Sequence, residues 1–145
     1  MEKVEFRNHV EMVKRARELF TEDYVLSFKY DCGSTTCYYR HPEDSNQRCL
    51  IGRLFYGHIP EDHDFWYSGD AIDDIMNDES DESNGYVLVR AFPWMNPSFV
   101  YKLQNQIHDN ACDEGRCVAG EYANEVKWDH YLSEAEELDR IYKLT

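Results

Sequence analysis

Apolar residues recur along the chain with spacings that predict its elements. Phe6, Val10, Val13, Ala16 and Phe20 follow steps of three and four, one stripe of a helix over residues 2–20. Lys14, Arg15 and Arg17 gather toward its C-terminal end, where the helix dipole favours cations. Two aromatic and β-branched runs then flank a Gly-Ser turn, which predicts a hairpin pairing 24–30 with 36–40. RCLIGRLFYGHIP predicts a short helix. Leu50, Ile51, Leu54 and Phe55 form its apolar face, Gly57 follows its end and Pro60 blocks continuation.

SGDAIDDIM predicts a second short helix, capped by Ser68, with Ala71, Ile72, Ile75 and Met76 inward. YVLVRAF, residues 86–92, reads as a strand because Val87–Val89 is continuously apolar. Asn96 and Pro97 suit N-cap and N1 of a helix that turns Val100, Leu103 and Ile107 inward and ends near residue 110. Ser133 and Glu136 form a capping box for the last helix, with Ala135, Leu138, Ile141 and Tyr142 as its stripe. Trp128 and Leu132 extend the same face. The expected fold is α+β, a single compact domain over 1–145. Four to five helices pack on a small antiparallel sheet made of the hairpin 24–40 and strand 86–92.

Composition sharpens this picture. The 145 residues are 42% hydrophobic and 14% aromatic, which excludes wholesale disorder. No apolar run nears the roughly 18 residues of a membrane helix, and the N-terminus lacks the apolar stretch of a signal peptide. A cytoplasmic location is expected, in host cytoplasm if a phage encodes the chain. The net charge is −14, and its distribution is uneven. No Lys or Arg stands between Arg53 and Arg90. That interval carries Glu61, Asp62, Asp64, Asp70, Asp73, Asp74, Asp78, Glu79, Asp81 and Glu82. Such a surface repels nucleic acid and anionic membranes, and it favours a basic partner or a cation. It also serves solubility alone. An EF-hand alignment with Gly85 at position 6 fails, because Ser80 and Ala91 would hold the first and last ligand positions.

Five cysteines offer thiol or metal chemistry. Cys32 and Cys37 are separated by four residues across one turn, and Cys112 and Cys117 by four across another. Two such turns could close a tetrahedral zinc site, with His108 able to replace one thiol. The alternative is that they are free thiols in unrelated turns. Cys49 stands at a helix start, where the dipole lowers a thiol pKa, so Cys49 with His108 is a candidate nucleophile pair. Cys49 equally suits a small core position. Adjacent side chains on an α-helix diverge by about 100°, so Asp109 is not expected to orient His108. Trp66, inside the acidic interval, is an aromatic anchor for a partner if exposed and a core residue if not.

The C-x-x-G helix at Cys49 and Gly52, with His108-Asp109 in a later helix, resembles small uncharacterised actinobacterial and phage proteins. The resemblance implies a first helix, a short hairpin, the C-x-x-G helix and a later helix with a polar-plus-Asp motif. It implies a phage-like setting and carries no activity, and the acidic interval and paired Cys turns lie outside it.

These readings converge on an acidic, non-enzymatic binding protein that docks on a basic, nucleic-acid-binding protein surface. The docking residues are those ten acids and Trp66. A phage-encoded anti-defence inhibitor that imitates DNA charge has this form. Two alternatives stand beside it: a zinc-stabilised interaction module on Cys32, Cys37, Cys112 and Cys117, and a small enzyme using Cys49 and His108. No cofactor is expected under the first reading.

Overall fold

Asn8 sets the start of the first helix. A computed structural model describes residues 1–31, 34–78, 82–113 and 117–144, with helix α1 at His9–Leu19, later than the stripe predicts. The Asn8 side chain accepts the Glu11 N–H. Asp139, from the far end of the chain, accepts the His9 and Val10 N–H groups at 3.0 Å each. Three of the helix's orphan donors are thereby satisfied. Val13, Ala16 and Phe20 are buried as predicted; Val10 is only half-buried, and Met12, outside the predicted stripe, is buried in its place. Phe6, upstream of the helix, is buried by stacking on Phe92.

Strands β1 (Phe28–Asp31) and β2 (Ser34–Cys37) pair antiparallel, with Phe28 opposite Cys37 and Asp31 opposite Ser34. The hairpin is shorter than expected, because Val25 bridges Val118 instead. Tyr38 then hands the chain to α2 (Leu50–Phe55), its carbonyl accepting the Cys49 N–H. Leu50, Ile51, Leu54 and Phe55 are all fully buried, so this short helix sits at the centre of the core. Gly52 lies flat against the chain at Tyr39, where a Cβ would stand 2.0 Å from the carbonyl oxygen. Gly57 closes the helix with φ +82°, a left-handed conformation glycine adopts without strain.

After a 3-10 turn at Asp64–Tyr67 come α3 (Ile72–Asn77) and α4 (Glu82–Ala91). Helix α5 (Pro97–Leu103) runs through a π segment (Gln104–Asp109) into α6 (Asn110–Asp113). Helices α7 (Tyr122–Glu125) and α8 (Trp128–Ile141) complete the chain. Asn96 caps α5 as expected, accepting the Phe99 N–H at 3.0 Å, and Val100, Leu103 and Ile107 point inward.

Four expectations are corrected. Residues 86–91 belong to α4, not to a strand. Asn84, Leu88 and Phe92 are buried at steps of four, whereas Tyr86 and Val89 are 62% and 48% exposed. That is helical periodicity. Among the described residues the sheet is therefore the hairpin alone, and the helices, shorter and more numerous than expected, pack mainly on one another. Helix α1 lies against α8, and α3 lies against α4 and α5. Ser68 does not cap α3; its hydroxyl accepts the Asp70 N–H. The Ile72 N–H is met instead by Gln104 Oε1 at 3.2 Å. Ser133 lies inside α8, which starts at Trp128 and buries Trp128, Tyr131, Ala135 and Asp139. The α+β class and the single compact domain hold.

Candidate functional sites: a thiol–imidazole cluster and an acidic face

The π segment brings two sulfurs and an imidazole together. Burial of Gln104, Ile107, His108, Ala111 and Cys112 on one side draws this helix into the core. Wider winding frees the Gln106 carbonyl, which accepts from Asn110 and Tyr122 side chains. Such segments are frequent at functional sites. Cys37 enters from the end of β2. Ligand atoms of Cys37, His108 and Cys112 all lie within 4.8 Å of one another. Cys112 Sγ is 3.4 Å from His108 Nδ1. His108 and Cys112 are sealed, while Cys37 is half-buried. Cys37 borders a pocket of about 370 Å³ that Thr36, Tyr39, Asp70, Gln104 and Asp109 also line.

One cysteine from each predicted turn thus converges, with His108 where a third thiol was expected. Cys117 is exposed and outside the cluster, its carbonyl accepting the Leu26 N–H. Cys32 lies outside the described residues. Asp109 Oδ1 comes within 3.6 Å of His108 Nδ1, against the expectation that the adjacent side chains would diverge. That oxygen is buried and has no hydrogen-bond partner among the described residues.

Hydrogen bonds order the proton positions. The Ser27 N–H donates to His108 Nε2 at 3.2 Å, so the neutral ring carries its proton on Nδ1, facing Cys112 and Asp109. Cys112, as a protonated donor, together with the imidazole, pulls the Cys37 thiol down to about 7 against the effect of burial. Cys112 moves up, because its proton is held by Cys37 and because it is buried. Burial opposes a charge on His108, but Asp109 and Cys37 outweigh it and raise the pKa. The Ser27 donor works against that second proton, which would place two N–H groups face to face. The Ser27 donor thus holds the ring as a neutral Nδ1–H donor.

Cys49, the other predicted nucleophile, is fully buried and caps α2 by accepting the Gly52 N–H at 3.3 Å. Burial pushes its thiol up, away from the thiolate. Both halves of the C-x-x-G motif thus have a packing role here: the cysteine caps and the glycine permits close approach.

The acidic face is solvated. Glu61, Asp62, Asp64, Asp70, Asp74 and Asp78 are exposed, and Asp73 is half-buried. Glu79 and Asp81 lie outside the described residues, as does the side chain of Glu82. Glu61 is committed within the fold. The Arg48 guanidinium grips it at 2.9 and 2.7 Å, Arg40 approaches at 3.3 Å, and the pair hold its carboxyl below the usual range. Trp66 is only 2% exposed, covered by the Arg48 and Arg40 guanidinium groups, so it is not an anchor for a partner. Its neighbour Tyr67 is the exposed aromatic, at 77%.

One feature of this face was missed by the sequence reading. Met76, Gly85, Tyr86 and Val89 line an open apolar groove of about 600 Å³ between α3 and α4, with Asp78 on its rim. Reading 86–92 as a strand separated these side chains; a step of three from Tyr86 to Val89 was the available signal. Comparison with family models, curated proteins and solved structures finds no match. No helix among the described residues is long and apolar enough to cross a membrane.

Proposed function

We propose that this chain is an acidic, non-enzymatic binding protein that docks on the basic surface of a nucleic-acid-binding protein. The observation that carries the reading is the groove between α3 and α4. Exposed Tyr86 and Val89 form an apolar patch beside Asp78, next to a run of solvated carboxylates. An apolar centre inside a charged rim is the usual layout of a protein-binding hot spot. The carboxylates steer a cationic partner, and the groove holds it after encounter. An inhibitor that imitates DNA charge is the narrower form of this reading, with an anti-defence role in a phage setting narrower still. Duplex DNA presents one charge per roughly 1.7 Å, and the chain's only dense carboxylate array is this interval.

Capture from a lysate of the native host tests it, with bound proteins then measured singly against purified variants. The reading expects a basic protein that duplex DNA displaces. Asp62→Asn with Asp70→Asn should slow its association and flatten its salt dependence. Val89→Ser should instead speed its dissociation. A captured protein whose kinetics ignore both changes would refute the reading. A zinc-stabilised module is the second reading, favoured by the meeting of Cys37, His108 and Cys112. The His108 tautomer weighs against it, and metal analysis of the purified protein decides it.

A further inference from the structure

We propose that Cys37 and Cys112 form a stoichiometric thiol–disulfide exchange pair, with Cys37 attacking and Cys112 resolving, oxidised by a small-molecule disulfide. Three observations carry this. The two sulfurs lie within 4.8 Å of each other on separate elements, β2 and α6. They differ in access: Cys37 opens on the pocket with Asp109 and Asp70, while Cys112 is sealed behind it. His108 is held by the Ser27 N–H as an Nδ1–H donor 3.4 Å from Cys112 Sγ.

The third observation separates thiol chemistry from metal binding. A metal on Nδ1 would require the proton to move to Nε2, where it would face the Ser27 N–H. A thiolate needs no such change. The Nδ1–H donates toward Cys112, and the Cys112 thiol donates toward Cys37, so negative charge is stabilised on the outer sulfur.

The exchange balances as follows. The Cys37 thiolate attacks one sulfur of a disulfide RSSR, the S–S bond breaks, and RS⁻ leaves and takes a proton from water. A mixed disulfide between Cys37 and RS then occupies the pocket. Cys112 loses its proton and attacks Cys37 Sγ, forming the internal disulfide. The second RS⁻ leaves and takes the proton Cys112 released. RSSR gains two electrons and becomes two RSH, and the cysteine pair is oxidised.

The test uses the full chain with Cys32→Ser and Cys117→Ser, incubated with oxidised glutathione and read by peptide mass spectrometry. The expected product is a Cys37–Cys112 linked peptide pair lighter by two hydrogens. Adding Cys112→Ser should halt the reaction at glutathione attached to Cys37. Adding Cys37→Ser should abolish both products. Oxidised glutathione should modify Cys37 before Cys112, since Cys37 opens on the pocket and Cys112 is sealed. The parent chain, read without either substitution in the pair, still reports if a variant fails to fold. Glutathione retained on Cys37 without an internal link would overturn the proposal. So would stoichiometric zinc that protects both thiols, or glutathione found on Cys112 ahead of Cys37.

Discussion

At the scale of single residues, Gly52 and Asp139 each hold several elements in place. Gly52 lets α2 touch the chain at Tyr39. A Cβ there meets backbone rather than a side chain that can move. Gly52→Ala should therefore cost about 3 kcal/mol, the upper end of the overpacking range; a urea midpoint equal to wild type would refute it. Asp139 is fully buried and accepts from His9 N, His9 Nδ1 and Val10 N. The Asn96 N–H donates to His9 Nε2 at 2.9 Å, so His9 too is a neutral Nδ1–H donor. Burial lowers its pKa, although Asp139 opposes the shift. The sign follows directly. The unfolded chain binds a proton near 6.5 that folded His9 resists, so stability is complete above that pH and declines as pH falls below it. The thermal midpoint should drop between about pH 6.5 and 5, before carboxylates dominate, and His9→Gln should flatten that slope. Asp139→Ala leaves three donors unmet and should cost about 3–5 kcal/mol by denaturation.

At the scale of elements, the sequence was legible wherever local chemistry decides the outcome. Asn96 and Pro97 start α5, and Gly57 ends α2, because cap and turn geometry depend on only a few neighbouring residues. Elements went wrong where a distant partner decides. Helix α3 borrows its cap from Gln104, and α1 borrows part of its cap from Asp139, neither visible locally. The run Val87–Val89 suggested a strand, yet tertiary packing of Leu88 and Phe92 makes it a helix. The thiol cluster was half legible. The spacing brought Cys37, Cys112 and His108 into one candidate set, while the Ser27 donor and the π winding depend on the folded chain. Helix α4 gives a direct check. Leu88→Ala should cost about 2–5 kcal/mol by cavity formation. Val89→Ala should be within about 0.5 kcal/mol of wild type, since that side chain is half in water and alanine favours helix. Equal costs at both positions would contradict the helical face.

At the scale of the whole molecule, charge is the dominant variable. The net charge of −14 compresses a repulsive field onto one small domain. Arg48 and Arg40 are both engaged on Glu61, so they neutralise one carboxylate rather than the face, while Arg90 lies against the Tyr86 ring at 5.9 Å. Asp73 and Asp74 are partly compensated in another way, since they stand in the first turn of α3 where the helix dipole favours them. Asp62, Asp64 and Asp70 have no such place in a helix of ordinary length, and all three are exposed. Raising ionic strength from about 0.01 M to about 0.15 M shortens the Debye length from ~30 to ~8 Å, which screens repulsion across the face more than the part-buried Arg48–Glu61 contact. The thermal midpoint should therefore rise with salt, by a few degrees for a change on the order of 1 kcal/mol. Asp62→Asn, Asp64→Asn and Asp70→Asn together bring the net charge from −14 to −11, three charges fewer. That variant should melt as high as wild type or slightly higher in low salt, and its midpoint should depend less on salt. A midpoint that falls with salt would mean that exposed ion pairs such as Lys29–Glu43 and Arg15–Glu18 outweigh the repulsion. Ion pairs outside the acidic face would then set the salt dependence, and repulsion across that face would be too weak to dominate the fold.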